Sequence, residues 1–205
     1  MKVTGTRRWK NRRWRLAALI VFAFPGALGL WAAVMGITGN IHVVERGAFY
    51  RSGQLGPQQL AKTIEEYGIR TVINLRGANP GKKWYDGEIA TCRRLHIVHL
   101  DVGMSADNVP GREMIAQLIR YMRESSKPIL AHCEGGADRA GLASALYLLV
   151  LRHEKPGEAA TELSFRYGHI PWLFPGSAAM DKAFRRESQF ILARRDIGGS
   201  GRKLH

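Results

Sequence analysis

The spacing of apolar positions changes several times along the chain, and each change marks an element. Residues 16–35, LAALIVFAFPGALGLWAAVM, hold no charge over about twenty positions, the length an α-helix needs to cross a membrane's hydrocarbon layer. This run predicts one transmembrane helix, kinked at Pro25-Gly26, with Trp14 and Trp31 as interfacial anchors near its ends. Beyond it, short β-branched runs alternate with helical spacing. Residues 41–44 and 48–51 predict strands, and residues 57–67 a helix, with Leu60, Ile64 and Tyr67 on one face and Gly68 as its stop. Strands follow at 71–75 (TVINL), 97–102 and 128–132 (PILAH), with helices at 84–95 and 110–125 between them. Residues 140–152, AGLASALYLLVLR, are apolar nearly all round and predict a buried helix. Amphipathic helices are expected at 158–167 and 178–194, joined by HIPWLFPGS. In that link Trp172, Leu173 and Phe174 are expected to cap the core, with insertion into a bilayer as the alternative.

Strand–helix alternation of this kind predicts an α/β fold, a mostly parallel central sheet flanked by helices. The expected organisation is a basic flank at 1–15, a transmembrane helix and its exit at 16–38, one globular domain at 39–194, and a disordered tail at 195–205.

Charge sharpens this picture. Of 31 Lys and Arg residues, seven precede position 16, whereas the first acidic residue is Glu45. The net charge of +14 is therefore half local, and its place beside an apolar span fits the positive-inside rule. A nucleic-acid arm is the weaker reading, because Trp9 and Trp14 suit a membrane interface as well as base stacking. A cleaved signal peptide would carry a shorter apolar run ending in small residues. We therefore expect a single-pass inner-membrane protein with a cytoplasmic N-terminus and its globular domain outside the cytoplasm, with no nucleic-acid partner. Two cysteines and 45% hydrophobic residues exclude a disulfide scaffold and a disordered polyelectrolyte.

In parallel sheets, ligands sit beyond the carboxyl ends of strands. One connection there carries chemistry: His132-Cys133-Glu134-Gly135-Gly136-Ala137-Asp138-Arg139, between the PILAH strand and the buried helix. Glycines let successive N–H groups turn inward as an anion-binding nest. The following helix N-terminus adds positive potential, which also favours a sulfur anion at Cys133. Arg139 supplies a planar fork for two phosphoryl oxygens. The backbone of Glu134, Gly135, Gly136, Ala137 and Asp138, with Arg139, is thus expected to hold phosphate. A merely buried thiol is the blander reading, and a bare Cys-x5-Arg spacing would not exclude it.

HCEGGADRAG resembles the signature HCxxGxxR(S/T)G of the cysteine-based protein tyrosine phosphatases. FYRSGQ (49–54) and GIRTVINLRG (68–77) extend the likeness to the compact bacterial dual-specificity-like branch, over about residues 41–152. The resemblance implies Cys133 as nucleophile, Arg139 as phosphate ligand, a thiophosphate intermediate released by water, and no metal or other cofactor. It also implies an aspartic acid that protonates the leaving oxygen, from the loop LDVGMSADNVP. Asp107, three residues before Pro110, fits that layout better, and Asp101 stands second. A helix cap is the alternative role for Asp107. The family's Ser or Thr after the arginine is replaced by Ala140, which implies slow hydrolysis of the intermediate and opens the alternative of a phosphate-binding module with little catalysis. Expected substrates are phosphotyrosine or phosphoserine/threonine in proteins first and a phospholipid headgroup second.

Other signals carry less. GANPGKK (77–83) is one residue short of a Walker loop and lacks its Ser/Thr, so it reads as a turn. Cys92, His96 and His99 do not make a zinc set, since His96 and His99 have opposite strand parity. His132 reads as a buried residue orienting the loop, and Tyr50, Arg51 and Arg76 as packing or pairing residues at family positions. Cys92 is an ordinary buried thiol or, alternatively, a disulfide partner of Cys133.

Overall fold

Five strands of four residues each form one sheet in the order β1-β2-β5-β3-β4. They are β1 (His42–Glu45), β2 (Phe49–Ser52), β3 (Thr71–Asn74), β4 (Val98–Asp101) and β5 (Ile129–His132). Only β1 is antiparallel to its neighbour; β2, β5, β3 and β4 run parallel, with His132 level with both Ser52 and Asn74 at one end. The computed structural model describes residues 26, 29–31 and 33–200, with side chains through Arg194.

The helices are α1 (Pro57–Tyr67), α2 (Lys83–Arg94), α3 (Arg112–Glu124), α4 (Asp138–Leu151), the short α5 (Pro156–Ala159) and α6 (Ala178–Ser200). Alternation along the strands sends side chains to opposite faces. Ile129 and Ala131 of β5 join Ile73 and Phe49 in a cluster with Leu118, Leu142, Leu146, Met180 and Phe184. Leu130 points the other way, toward Val72, Tyr50, Leu60, Ile64 and Cys92. Helix α4 is buried at every position from 140 to 149, as its unbroken apolar pattern predicts.

Residues 39–205 form one compact unit and those before it another. In the latter, residues 33–38 are helical and the Thr38 hydroxyl donates to the Val34 carbonyl at 2.8 Å. Among the described residues no helix is long and apolar enough to cross a membrane; most of the span expected at 16–35, like the basic flank, lies outside them.

Three expectations need correction. The helix expected at 158–167 is instead α5 followed by two 3-10 turns, Ala160–Glu162 and Phe165–Tyr167. Arg51 is the reason: its Nη1 donates to both the Glu162 carbonyl and the Glu162 carboxylate, each at 2.7 Å. A continuous helix would commit that carbonyl to residue 166. Trp172, Leu173 and Phe174 do not cap the core; they are 73%, 46% and 60% exposed. Tyr167, His169 and Ile170 turn inward in their place. Helix α6 continues to Ser200 rather than ending at Arg194, so the first part of the expected disordered tail is helical.

Candidate active site

The loop from Cys133 to Arg139 leaves the central strand β5 and enters α4, and its shape is set by what holds its carbonyls. The Glu134 carbonyl accepts from the Gln54 backbone N–H at 2.9 Å. Asn40 Nδ2 donates to the Gly135 carbonyl at 2.8 Å, and Arg51 Nη2 donates to those of Gly136 and Ala137 at 2.8 and 2.9 Å. In a trans peptide the N–H of the next residue points opposite to the carbonyl. Four consecutive carbonyls drawn outward therefore turn the N–H groups of Gly135, Gly136, Ala137 and Asp138 toward the loop's inside. One of them, Gly136 N–H, donates to Cys133 Sγ at 3.2 Å. Such a concave array of N–H donors is a geometry that suits an oxyanion.

Gly136 makes that turn possible. Its φ is +74°, and a Cβ there would lie 2.6 Å from the Gly53 nitrogen and 2.8 Å from the Ser52 carbonyl carbon. Both features exclude a side chain.

Arg139, the second residue of α4, reaches across to the loop between β4 and α3, where Nη1 donates to the Met104 carbonyl at 3.2 Å. Its Nε is buried with no hydrogen-bond partner among the described residues. An orphaned guanidinium N–H beside a ring of inward amides is a donor waiting for an acceptor. Glu134, by contrast, points its carboxylate to solvent.

Arg51 is fully buried on β2, paired with Glu162 and stacked 4.2 Å from the Tyr167 ring centroid. Sequence reasoning gave it only a packing or pairing role. Its Nη2 in fact fixes two of the four loop carbonyls. Asn40 was missed altogether; nothing about an asparagine near the domain's start marks it as a loop clamp, and its Nδ2 also bonds the Tyr167 carbonyl at 2.9 Å. Tyr50 packs against Tyr67, as expected of a structural residue.

His132 is buried, and its Nε2 donates to Glu88 Oε1 at 3.1 Å. Glu88 also accepts from His99 at 2.8 Å and from Gln54 Nε2 at 2.7 Å. Burial alone would raise the Glu88 carboxyl, but the bonds from His132, His99 and Gln54 outweigh it and hold it down at about 2. The contribution of this carboxylate to stability is complete above 4.5, its ordinary value, and fades as pH falls toward about 2.

The two candidate acids differ sharply. Asp101, at the end of β4, accepts from Asn74 Nδ2 and from the Tyr85 hydroxyl, both at 2.7 Å. Burial and the Asp101 carboxylate push Tyr85 up to about 12, so Tyr85 stays a donor at any physiological pH. Asp107 is exposed, and its carboxylate lies against Gly176 in the 3-10 turn Pro175–Ser177. It does not cap α3, whose N-cap is Gly111.

Cys92 and Cys133 are both free and belong to clusters on opposite faces of the sheet, so the disulfide weighed for them is not formed. Burial raises the Cys92 thiol to about 12, which makes it a poor nucleophile. Residues 77–82 form a turn leading into α2, and the Gly77 carbonyl accepts from Asn74 and Asn79.

His169 is a further group that the sequence did not single out. Its ring is buried, with Nδ1 2.6 Å from Asp138 Oδ1 and Nε2 2.9 Å from Asp181 Oδ2. Burial would lower it, yet the two carboxylate bonds prevail and raise it above the ordinary imidazole value of 6.5. A raised value in the folded state stabilises the domain fully below pH 6.5, and that stabilisation is lost as pH climbs through the raised value. The melting temperature is accordingly expected to fall as pH is raised from 6.5. In His169→Gln that slope should flatten, and a slope identical to the parent's would remove His169 as its source.

The model of the family described as "DSP-PTPase phosphatase fused to NAD+ kinase" matches residues 27–169, more than half the chain. No curated protein matches it. Among solved structures, TpbA of P. aeruginosa is 21% identical and aligns with a TM-score of 0.54, covering 73% of this chain and 91% of that one. The core catalytic domain of the PP-IP phosphatase SIW14 from S. cerevisiae, solved with citrate, is 19% identical with a TM-score of 0.56, covering 77% and 93%. A putative phosphatase from Shewanella putrefaciens is 18% identical with a TM-score of 0.55, covering 72% and 90%. At such identities these likenesses establish a shared fold. Together with the extent of the family match and the loop at Cys133, they place this chain in the family of DSP-PTPase phosphatases fused to NAD+ kinase, within the cysteine-based protein tyrosine phosphatase superfamily.

Proposed function

We propose that the domain hydrolyses phosphate monoesters of tyrosine, serine or threonine in proteins, with Cys133 as nucleophile. The observation that carries this reading is the ring of four inward N–H groups, closed by an arginine whose buried Nε lacks a partner among the described residues. Such a ring matches the equatorial oxygens of a phosphoryl group in transfer. The Cys133 sulfur forms a bond to phosphorus as the ester P–O bond breaks, and the leaving oxygen takes a proton from the general acid. Water then attacks phosphorus and gives a proton back to the general acid's carboxylate, the S–P bond breaks, and orthophosphate leaves with the sulfur restored as an anion.

Asp107 is the general acid in this reading. Both oxygens of Asp101 are already engaged, Oδ1 by Asn74 Nδ2 and Oδ2 by the Tyr85 hydroxyl, so neither is presented to a leaving oxygen. Asp107 sits on the exposed part of a loop whose Met104 carbonyl meets Arg139. Asp107→Asn is expected to lower kcat about 10²-fold on substrates with poor leaving groups.

Ala140 is fully buried and brings no hydroxyl toward the sulfur. Release of the intermediate is therefore slow. The full chain should give a burst of product equal to enzyme, then slower turnover that Ala140→Ser accelerates about tenfold, the worth of one hydrogen bond to a charged atom. Orthophosphate release from phosphotyrosine peptides and from phosphoinositide vesicles, measured in parallel, tests the reading. No release from either would refute it.

A phospholipid headgroup is the second reading, and a specific observation favours it. Trp172, Leu173 and Phe174 are exposed on the segment that leads into Gly176, against which Asp107 rests. Aromatic side chains at such a rim suit a membrane interface. The fold likeness is compatible with both readings, since TpbA has been solved in complex with pTyr and SIW14 is described as a PP-IP phosphatase. We place the N-terminus in the cytoplasm and the domain at the outer face of the inner membrane, on the strength of the basic flank and the uncharged run that follows it.

A further inference from the structure

We propose that Arg76 forms a second anion subsite beside the phosphate loop, so that the preferred substrate carries a second phosphoryl group close to the one removed. This rests on the Cys133 phosphatase reading and, within it, favours the headgroup class of substrate, free or lipid-borne, over phosphorylated proteins.

Arg76 follows β3, and its guanidinium is held from two sides. It lies 3.8 Å from the Trp84 ring centroid, a cation–π stack, and Nη1 donates to Gln54 Oε1 at 3.0 Å. Gln54 cannot turn that oxygen away, because its Nε2 donates to Glu88 Oε2 at 2.7 Å. Glu88 is the carboxylate that also receives His132, the residue before the nucleophile. The cation is thus fixed in place before any ligand arrives, which removes most of the ordering cost of binding.

What the cation faces is the second observation. Arg76 Nη2 lies 3.7 Å from Glu134 Oε2, and Arg139 Nη2 lies 4.0 Å from the same oxygen. One carboxylate oxygen is therefore shared between the arginine of the phosphate loop and Arg76. Neither separation is a hydrogen bond, and the Glu134 side chain is 71% exposed. An exposed pair this loose stabilises the fold little, so pairing with Glu134 does not by itself explain why Arg76 is stacked and bonded into position. Glu134 instead stands as a displaceable counter-ion across two cations.

The class of group that displaces it follows from charge. A substrate carboxylate would match Glu134 in charge, and Glu134 is already tethered at high effective concentration. A phosphoryl group, with up to two charges and three acceptor oxygens, outcompetes it. Two phosphoryl groups on neighbouring positions of one small scaffold, free or as a lipid headgroup, meet both arginines at once.

Calorimetric titration of the full chain with 1,2-ethylenebisphosphonate and with ethylphosphonate tests this without turnover. The bisphosphonate should bind at least tenfold more tightly. Arg76→Gln should shrink that ratio to near one, and Glu134→Gln should widen it, a gain that misfolding cannot produce. If ethylphosphonate binds and the bisphosphonate binds no tighter, or Arg76→Gln leaves the ratio unchanged, the subsite is wrong and the phosphatase reading stands. If neither binds, the phosphate loop reading falls with it. Orthophosphate release from soluble inositol bisphosphates and from phosphatidylinositol bisphosphate vesicles then separates the free source from the lipid, and release confined to phosphotyrosine peptides would overturn the proposal.

Discussion

Cys133→Ser is expected to lower phosphate-monoester hydrolysis by at least about 10⁴-fold, and Arg139→Lys by about 10³-fold, with melting temperatures close to the parent's. The two losses have different origins. Serine keeps the volume and the Gly136 N–H contact but carries a proton that nothing nearby is placed to remove; among the described residues the donor to Cys133 Sγ is that backbone N–H. Lysine keeps the positive charge of Arg139 but loses the fork: the bond to the Met104 carbonyl and the buried Nε cannot both be reproduced by an ammonium. The ratio of the two effects is informative. If serine and lysine variants were equally and only mildly impaired, catalysis would not depend on a sulfur nucleophile. Retention of phosphonate binding by Cys133→Ser, with loss in Arg139→Lys, would locate the anion where the loop amides converge.

Much of this site was legible before the structure, and the reason is local. The strand PILAH, two glycines, an arginine and a buried helix are contiguous, so the chemistry of the loop is written in one short window of sequence. The sheet was legible for the same reason, because strand–helix alternation restricts parallel strands to very few layouts. What was not legible comes from distant partners. Glu162 meets Arg51 across more than a hundred residues, and that contact both breaks the helix expected at 158–167 and shapes the phosphate loop. Asn40 and His169 act the same way, through long-range bonds, Asn40 to Gly135 and Tyr167 and His169 to Asp138, that no periodicity encodes. The aromatic link was misplaced because Trp172, Leu173 and Phe174 are apolar enough for a core, yet the interior there is already filled by Tyr167, Ile170 and the buried His169.

Arg51 gives the largest expected effect on stability. Arg51→Met should destabilise the domain by about 3–5 kcal/mol, because it strands the Glu162 carboxylate without its cation. The same change releases the carbonyls of Gly136 and Ala137 from Nη2, so the peptide planes between Gly136 and Asp138 lose what holds their N–H groups inward. Phosphate affinity should therefore fall, although Arg51 lies beneath the loop rather than within it. The partner variant separates the two consequences: Glu162→Gln keeps Arg51 and its bonds to the loop, so it should lose stability while retaining more phosphonate affinity than Arg51→Met. Denaturant unfolding and phosphonate titration of both variants, and of the double variant, complete the cycle. If Arg51→Met lowered stability but bound phosphonate as tightly as the parent, the inward amides would be held by the glycines alone. Gly141 offers an independent check, since a Cβ there would lie 3.2 Å from Arg51 Nη2 and 2.9 Å from the Glu162 carbonyl. Gly141→Ala leaves every charge in place and crowds this pair together with the Leu163 side chain, 3.0 Å from that Cβ, so it should weaken phosphonate binding in the same direction, by less.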